Sequence, residues 1–231
     1  MKKFLSLLLV LALAASCMFA CGGDDEDKGS ELEAVSAMYA VSQPTKIVAT
    51  TSHQFGSKTL NGTYELVTGL LDGVTPVATY TAKYQQMRDI ASGSTQEIVD
   101  PIEDVELLIE YKEGKGTRET KNGSRGSWNK DGASIIPEKG AVAVNLDPAV
   151  ITQYTYENGV LTFSVPAAST ESVLGMALGA DALVVIKNDG TRITGVDISY
   201  TVAADAATNV EQTVVSISVK YTYDLETPDI K

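Results

Sequence analysis

The chain is predicted to be mainly β, an α+β protein built on one large curved antiparallel sheet or half-open β-barrel, with an N-terminal helix and a short inserted helix on the concave side. Three observations carry this. Most of the chain after residue 44 alternates polar and apolar residues with period two. Several alternating runs reach ten to thirteen residues, well beyond the usual five or six, and strands of that length are stable only in a twisted, curved sheet. Only two segments break the pattern with helical spacing.

The first of these opens at Ser30. Ser30 can cap, Glu31 and Glu33 favour a helix N-terminus, and Leu32, Val35, Met38 and Tyr39 fall on one face before Pro44 ends the run. Four strand-like runs follow: "TKIVATTSHQF" (45–55), "KTLNGTYELVT" (58–68), "PVATYTAKYQQM" (76–87) after the turn "LDGVTP", and "DVELLIEYK" (104–112). In the last, Val105, Leu107, Ile109 and Tyr111 point one way and Glu106, Glu110 and Lys112 the other. "YTYENGVLTFSV" reads as a hairpin about Asn158-Gly159, and "ALVVIKNDGTRITGVDISYTV" repeats the device at Asp189-Gly190. "AASTESVLGMALGA" (167–180) reads as the short inserted helix, capped by Ser169 or Thr170 and stopped by Gly179. "QTVVSISVKYTYD" (212–224) closes the sheet. No linker interrupts residues 31–231, so they are read as one β-rich domain.

Composition narrows the function classes. Of 231 residues, 44% are hydrophobic and 21% charged, ordinary for a folded protein. Removing residues 1–20, with Lys2 and Lys3, takes the net charge from −12 to −14, a balance that repels phosphates and argues against nucleic acid as a partner. Those twenty residues have a short positive start and the apolar run "FLSLLLVLALAASCMFA", followed by "DDED" with no basic stop-transfer cluster. They read as an export signal.

The only two cysteines, Cys17 and Cys21, lie at the end of that run. A disulfide between them would sit in a segment that is cleaved away, and a metal pair would lack further ligands, since the mature chain adds one histidine and no cysteine. The segment resembles a bacterial lipoprotein signal, in which a small residue precedes a cysteine that is acylated and becomes the mature N-terminus. "LAASC" would place that cysteine at Cys17 and leave "MFAC" stranded; "MFACGG" places it at Cys21, after Ala20 and before Gly22-Gly23. Met18 departs from the usual leucine. The Cys21 register leaves no apolar remnant and is favoured. The resemblance implies that residues 1–20 are a lipoprotein signal peptide and 21–30 an acidic tether. It also implies an extracytoplasmic, cell-envelope protein anchored to a bacterial membrane through two or three acyl chains, enough for stable binding.

Behind that signal, the order of helix, long strands, short helix and further hairpins resembles the lipoprotein-carrier superfamily, which includes lipid-binding envelope lipoproteins. The resemblance implies a non-enzymatic protein that binds a lipid or other apolar ligand in the concavity of its sheet. Candidate lining residues are Met38, Tyr80, Tyr84, Leu107, Ile109, Leu174 and Met176. The alternative is a cell-surface structural or interaction lipoprotein with no small-molecule ligand. In either case the expectation is a monomer.

Catalytic constellations are not found. His53 lies mid-strand beside Ser52, and adjacent strand residues point to opposite faces, so the pair cannot form a nucleophile and base. "NKDG" and "KNDG" read as turns and lack the spacing of a calcium loop, and "GKGTRETKNGSRG" lacks the ending of a phosphate loop. No catalytic residue, metal or cofactor is assigned. The glycine-rich stretch does gather six basic residues between Lys112 and Lys130 in an acidic chain. It reads as a long exposed hairpin turning at Asn122-Gly123, whose charges guard its edges. Its sharper reading is a surface basic patch of Arg118, Lys121, Arg125 and Trp128 that meets anionic headgroups or wall polymers.

Overall fold

A single eleven-stranded antiparallel sheet, curved and unclosed, accounts for most of the chain in the computed structural model. The structure describes residues 28–71, 73–87, 102–112, 115–122, 128–132, 144–205 and 211–223. Helix α1 (Lys28–Val41) leads into β1 (Lys46–Phe55), β2 (Lys58–Leu71), β3 (Thr75–Met87), β4 (Ile102–Lys112), β5 (Lys115–Asn122) and β6 (Trp128–Gly132). Then come β7 (Tyr154–Glu157), β8 (Val160–Val165), a 3-10 turn (Ala167–Ser169), helix α2 (Thr170–Leu174), β9 (Ala182–Asn188), β10 (Ile193–Val202) and β11 (Thr213–Thr222).

The strand order is β6-β5-β4-β3-β2-β1-β11-β10-β9-β8-β7. Two meanders therefore run outward from the middle, and the first strand pairs with the last along its whole length, from Lys46 opposite Thr222 to Phe55 opposite Thr213. Each other neighbour is the next strand in sequence, joined by two to five residues except between β3 and β4, between β8 and β9, where the 3-10 turn and α2 intervene, and between β10 and β11.

Side chains alternate across the sheet, and register carries one face from strand to strand. That inner face bears Leu161 and Phe163 of β8, Val184 and Ile186 of β9, Val196 and Ile198 of β10, Val219 and Tyr221 of β11, and Ile47 and Ala49 of β1. Leu32 and Val35 of α1, Val173 and Leu174 of α2, and Val144, Leu146 and Ile151 close over it to form the core. The apolar stripe predicted for the first helix is the one that packs: Leu32 and Val35 are fully buried, with Met38 and Tyr39 half-buried beside them.

Three local expectations are adjusted. α1 begins at Lys28, so Ser30 lies in its first turn. α2 is stopped by Gly175, which takes φ 71°, four residues before Gly179. Buried Thr170 ties the helix ends, its hydroxyl donating to the Ala167 carbonyl at 2.9 Å and accepting from the Leu178 amide at 3.1 Å. At Asn158-Gly159 both residues adopt positive φ, 52° and 76°, as a two-residue hairpin turn requires. At Asp189-Gly190 only Gly190 does. There the loop runs to Arg192, because one Asp189 carboxylate oxygen accepts from the Thr191 hydroxyl and from the amides of Thr191 and Arg192. The hydroxyl bond of Thr191, those amides and the Arg192 charge hold the Asp189 carboxyl down at about 2.

One buried polar cluster joins α1 to the sheet. The Ser42 hydroxyl donates to the Met38 carbonyl at 2.7 Å and accepts from the Ile193 amide at 3.0 Å. Tyr223 donates to the Ile193 carbonyl, and the Arg192 guanidinium lies 4.3 Å from the centre of its ring. Ser42 is 6% exposed, so Ser42→Ala strands the Ile193 amide and is expected to cost about 1–3 kcal/mol, measured by urea unfolding. A loss within experimental error of zero would mean that water replaces the hydroxyl.

Candidate functional site: the inner face of strands β1 to β4

The same register continues the inner face across the other meander. Ile47 stands opposite Leu66, Leu66 opposite Tyr80, and Tyr80 opposite Ile109. The flanking rows run Ala49, Tyr64, Ala82, Leu107 on one side and Thr68, Ala78, Tyr111 on the other; beyond Tyr64 and Ala82, Gly62 leads to Tyr84 and Val105. The result is an aromatic and aliphatic stripe along β2, β3 and β4. Among the described residues, the helices bury the β7–β11 side and reach across only to Ile47 and Ala49 of β1; no hydrophobic residue of β2, β3 or β4 belongs to that core.

Within the stripe, small and large residues divide the work. Ala82 is 1% exposed and Ile109 5% exposed. Tyr64, Tyr80, Tyr84, Leu107 and Tyr111 are half-buried and form its surface. The Tyr64 and Tyr84 rings stack with centroids 6.1 Å apart and planes 17° from parallel. Gly62 makes this possible: a Cβ there would lie 2.7 Å from the Thr51 hydroxyl and 2.8 Å from the Tyr64 ring. Burial, then the nearness of Tyr64 and Tyr84, pushes the Tyr80 phenol up from its ordinary value, so it is neutral at physiological pH. Within β2, β3 and β4, charge on these rows is confined to the strand ends, as at Glu103, which accepts from Gln86 at 2.6 Å; on β5 the row through Tyr80 and Ile109 continues to position 118, an arginine.

The predicted lining residues divide into two groups. Tyr80, Tyr84, Leu107 and Ile109 come together on this stripe. Met38 and Leu174 belong to the filled core over the other meander, and Met176, past the end of α2, is 38% exposed. Tyr64, Leu66, Tyr111 and Gly62 complete the stripe and were not singled out in sequence. Their signal was the alternation Gly62, Tyr64, Leu66, Thr68, read through the hairpin that sets Leu66 opposite Tyr80.

The basic hairpin exists as β5 and β6, and its backbone register distributes the charges. Position 118 stands opposite Ile109 and Asp131, in the inner-face rows, whereas position 121 stands opposite Glu106 and Trp128, in the outer-face rows. Lys121 and Trp128 are thus register partners on neighbouring strands, and position 118 lies in a different row. Arg125 lies outside the described residues, as do Cys17 and Cys21. His53 stands opposite Leu60 and Val215.

A shallow groove of about 260 Å³ crosses the opposite face of β1, β11, β10 and β9. It is lined by Thr50, Ser52, Ser199, Ser216 and Ser218 with Leu183, Val185 and Asp197. Asp197 accepts from Lys187 and from Ser218, each at 2.6 Å.

No family model matches the chain, and no curated protein matches it. Among solved structures, a DUF1329 family protein from Desulfovibrio piger is similar at 10% identity and a TM-score of 0.30, over 89% of this chain and 96% of that one. Rv2717c from M. tuberculosis is similar at 11% identity and a TM-score of 0.27, over 81% and 97%. Scores this low carry no functional role across.

The stripe depends on Gly62, and Gly62→Ala is expected to push the Tyr64 ring off its stack with Tyr84. The near-UV circular dichroism of the tyrosines would change and stability would fall by about 1–3 kcal/mol, the usual cost of overpacking. An unchanged tyrosine spectrum would show that the ring has room to give.

Proposed function

We propose that this is a non-enzymatic, extracytoplasmic bacterial lipoprotein, anchored to the membrane through Cys21, that binds a lipid or other apolar ligand on the inner face of β2, β3 and β4. The observation supporting this reading is the division of the inner face. One half is filled by α1, α2 and residues 144–151, and the other presents Tyr64, Tyr80, Tyr84, Leu107 and Tyr111 half-buried, with no described helix packed on it as core. Apolar ligand sites are concave, largely preformed and lined by aromatic and aliphatic groups with few polar ones. A stripe of aromatic rings and aliphatic side chains suits an acyl chain better than a charged metabolite, and its tyrosines offer hydroxyls to a headgroup. A second reading, a surface lipoprotein that binds a partner macromolecule, draws on the hydroxyl-lined groove of the outer face.

The two parts of the proposal are tested separately. Cells fed a labelled fatty acid are expected to mark the chain; Cys21→Ser should abolish the label and Cys17→Ser should leave it. The reverse pattern would move the anchor to Cys17. For the ligand, the chain from residue 21 carrying Cys21→Ser, which retains every described residue, is purified without detergent, extracted with organic solvent and the extract weighed by mass spectrometry. Near-stoichiometric lipid is expected, reduced several-fold in Tyr84→Asp. A clean extract would overturn the ligand in favour of the partner-binding reading.

A further inference from the structure

The hairpin joining β2 to β3 ends beyond its neighbours. β1 begins opposite Val67 and β4 ends opposite Val77, so Leu70 with Pro76 and Leu71 with Thr75 pair only with each other. The tip thus stands clear of the described strands on either side by two residue pairs, about 7 Å, plus its turn. At the tip the Val74 amide donates to the Leu71 carbonyl at 3.1 Å, and Gly73 takes φ 71°. The tip's side chains are of the wrong kind for water. Val74 is 79% exposed and Leu70 47% exposed.

Leu70 is also the last inner-face residue of β2. Following Tyr64, Leu66 and Thr68 on alternate positions, it makes the stripe continuous from the middle of the sheet to the tip. We infer that this tip is a bilayer-contact element, inserting Leu70, Leu71 and Val74 into lipid at the mouth of the stripe. The inference rests on the lipid-anchored reading above. From Cys21 to the start of α1 at Lys28 the chain spans at most about 25 Å even when fully extended, so an anchor at Cys21 would keep the folded domain against the membrane.

The size of the apolar patch selects the occupant. A stable protein partner buries roughly 800 Å² on each side, far more than two or three aliphatic side chains supply. A bilayer accepts single side chains without a complementary surface. Charge does not drive this contact, since the chain carries a net −12 and the turn contains Asp72. Contact by apolar insertion is therefore expected with zwitterionic lipid and is expected to resist salt.

The test floats the chain from residue 21 carrying Cys21→Ser, which has neither leader nor acyl chain, with phosphatidylcholine vesicles on a density gradient. The protein is expected to float, in low and high salt alike. Leu70→Gln with Val74→Glu should weaken binding by more than tenfold, since withdrawing even one aliphatic side chain from lipid costs about tenfold, with far-UV circular dichroism and Tm unchanged. Val74→Glu alone, in the turn, should give part of that loss and serves if the double variant folds poorly. Equal flotation of variant and parent, or a parent that does not float, would overturn the inference. Solvent extraction of the same proteins separates it from the ligand proposal. Lipid recovered from both with flotation unchanged would remove the tip and leave the ligand site. Flotation lost with no lipid recovered from either would leave the tip and remove the ligand.

Discussion

Everything in this molecule hangs on the pairing of β1 with β11. All the other strand pairs are between consecutive strands, so each closes a much shorter loop at a smaller entropic cost. The β1–β11 ladder must bring together residues 46 and 222, nearly the whole described chain apart. Without it there would be two meanders, neither able to cover its apolar face. With it, the inner face becomes continuous from β7 to β4, and Ile47 and Ala49 join the core built on Val196, Val219 and Tyr221. The cluster of Ser42, Ile193, Arg192 and Tyr223 sits where this seam begins, and it fastens α1 to strands from both ends of the chain.

The seam also explains how one sheet can have two kinds of inner surface. On the β7–β11 side, branched aliphatic residues from facing elements interdigitate and exclude water in the ordinary way of a core. On the β2–β4 side the residues that alternate inward include half-buried tyrosines beside buried Ala78 and Ala82. A tyrosine can sit at such a boundary because it presents an apolar ring and a polar tip. Gly62 shows that this half is packed to a purpose, since the stacked pair needs the space that a methyl group would fill.

Much of the architecture was legible from residue pattern. The long strands, the hairpin at Asn158-Gly159 and the short helix after Pro166 follow from local rules that tertiary context did not override. Two things were not local and so could not be read. The first was the partner of β1. The second was which residues share a face once strands pair. Leu66 and Val67, adjacent in β2, are both buried, so alternation alone does not name the inner face there. For the same reason Met38 and Leu174, apolar and well spaced, were grouped in sequence with Tyr80 and Ile109, although the seam assigns them to opposite halves. In the basic stretch, composition groups positions 118 and 121, and only the register shows that they lie in different rows.

The strand order turns the chain inside out with respect to its ends. Both terminal strands lie at the centre of the sheet, and the outermost of the described strands, β6 and β7, come from the middle of the sequence. Trimming either terminus therefore removes the keystone and not a dispensable border. The stretch that leads into β7 carries Val144, Leu146 and Ile151 into the core, so an added hairpin could lengthen a flank and leave the existing pairing intact only where it spares residues 144 to 151. A lineage of such proteins would be free to widen its sheet from within the sequence while its first and last strands stayed the same.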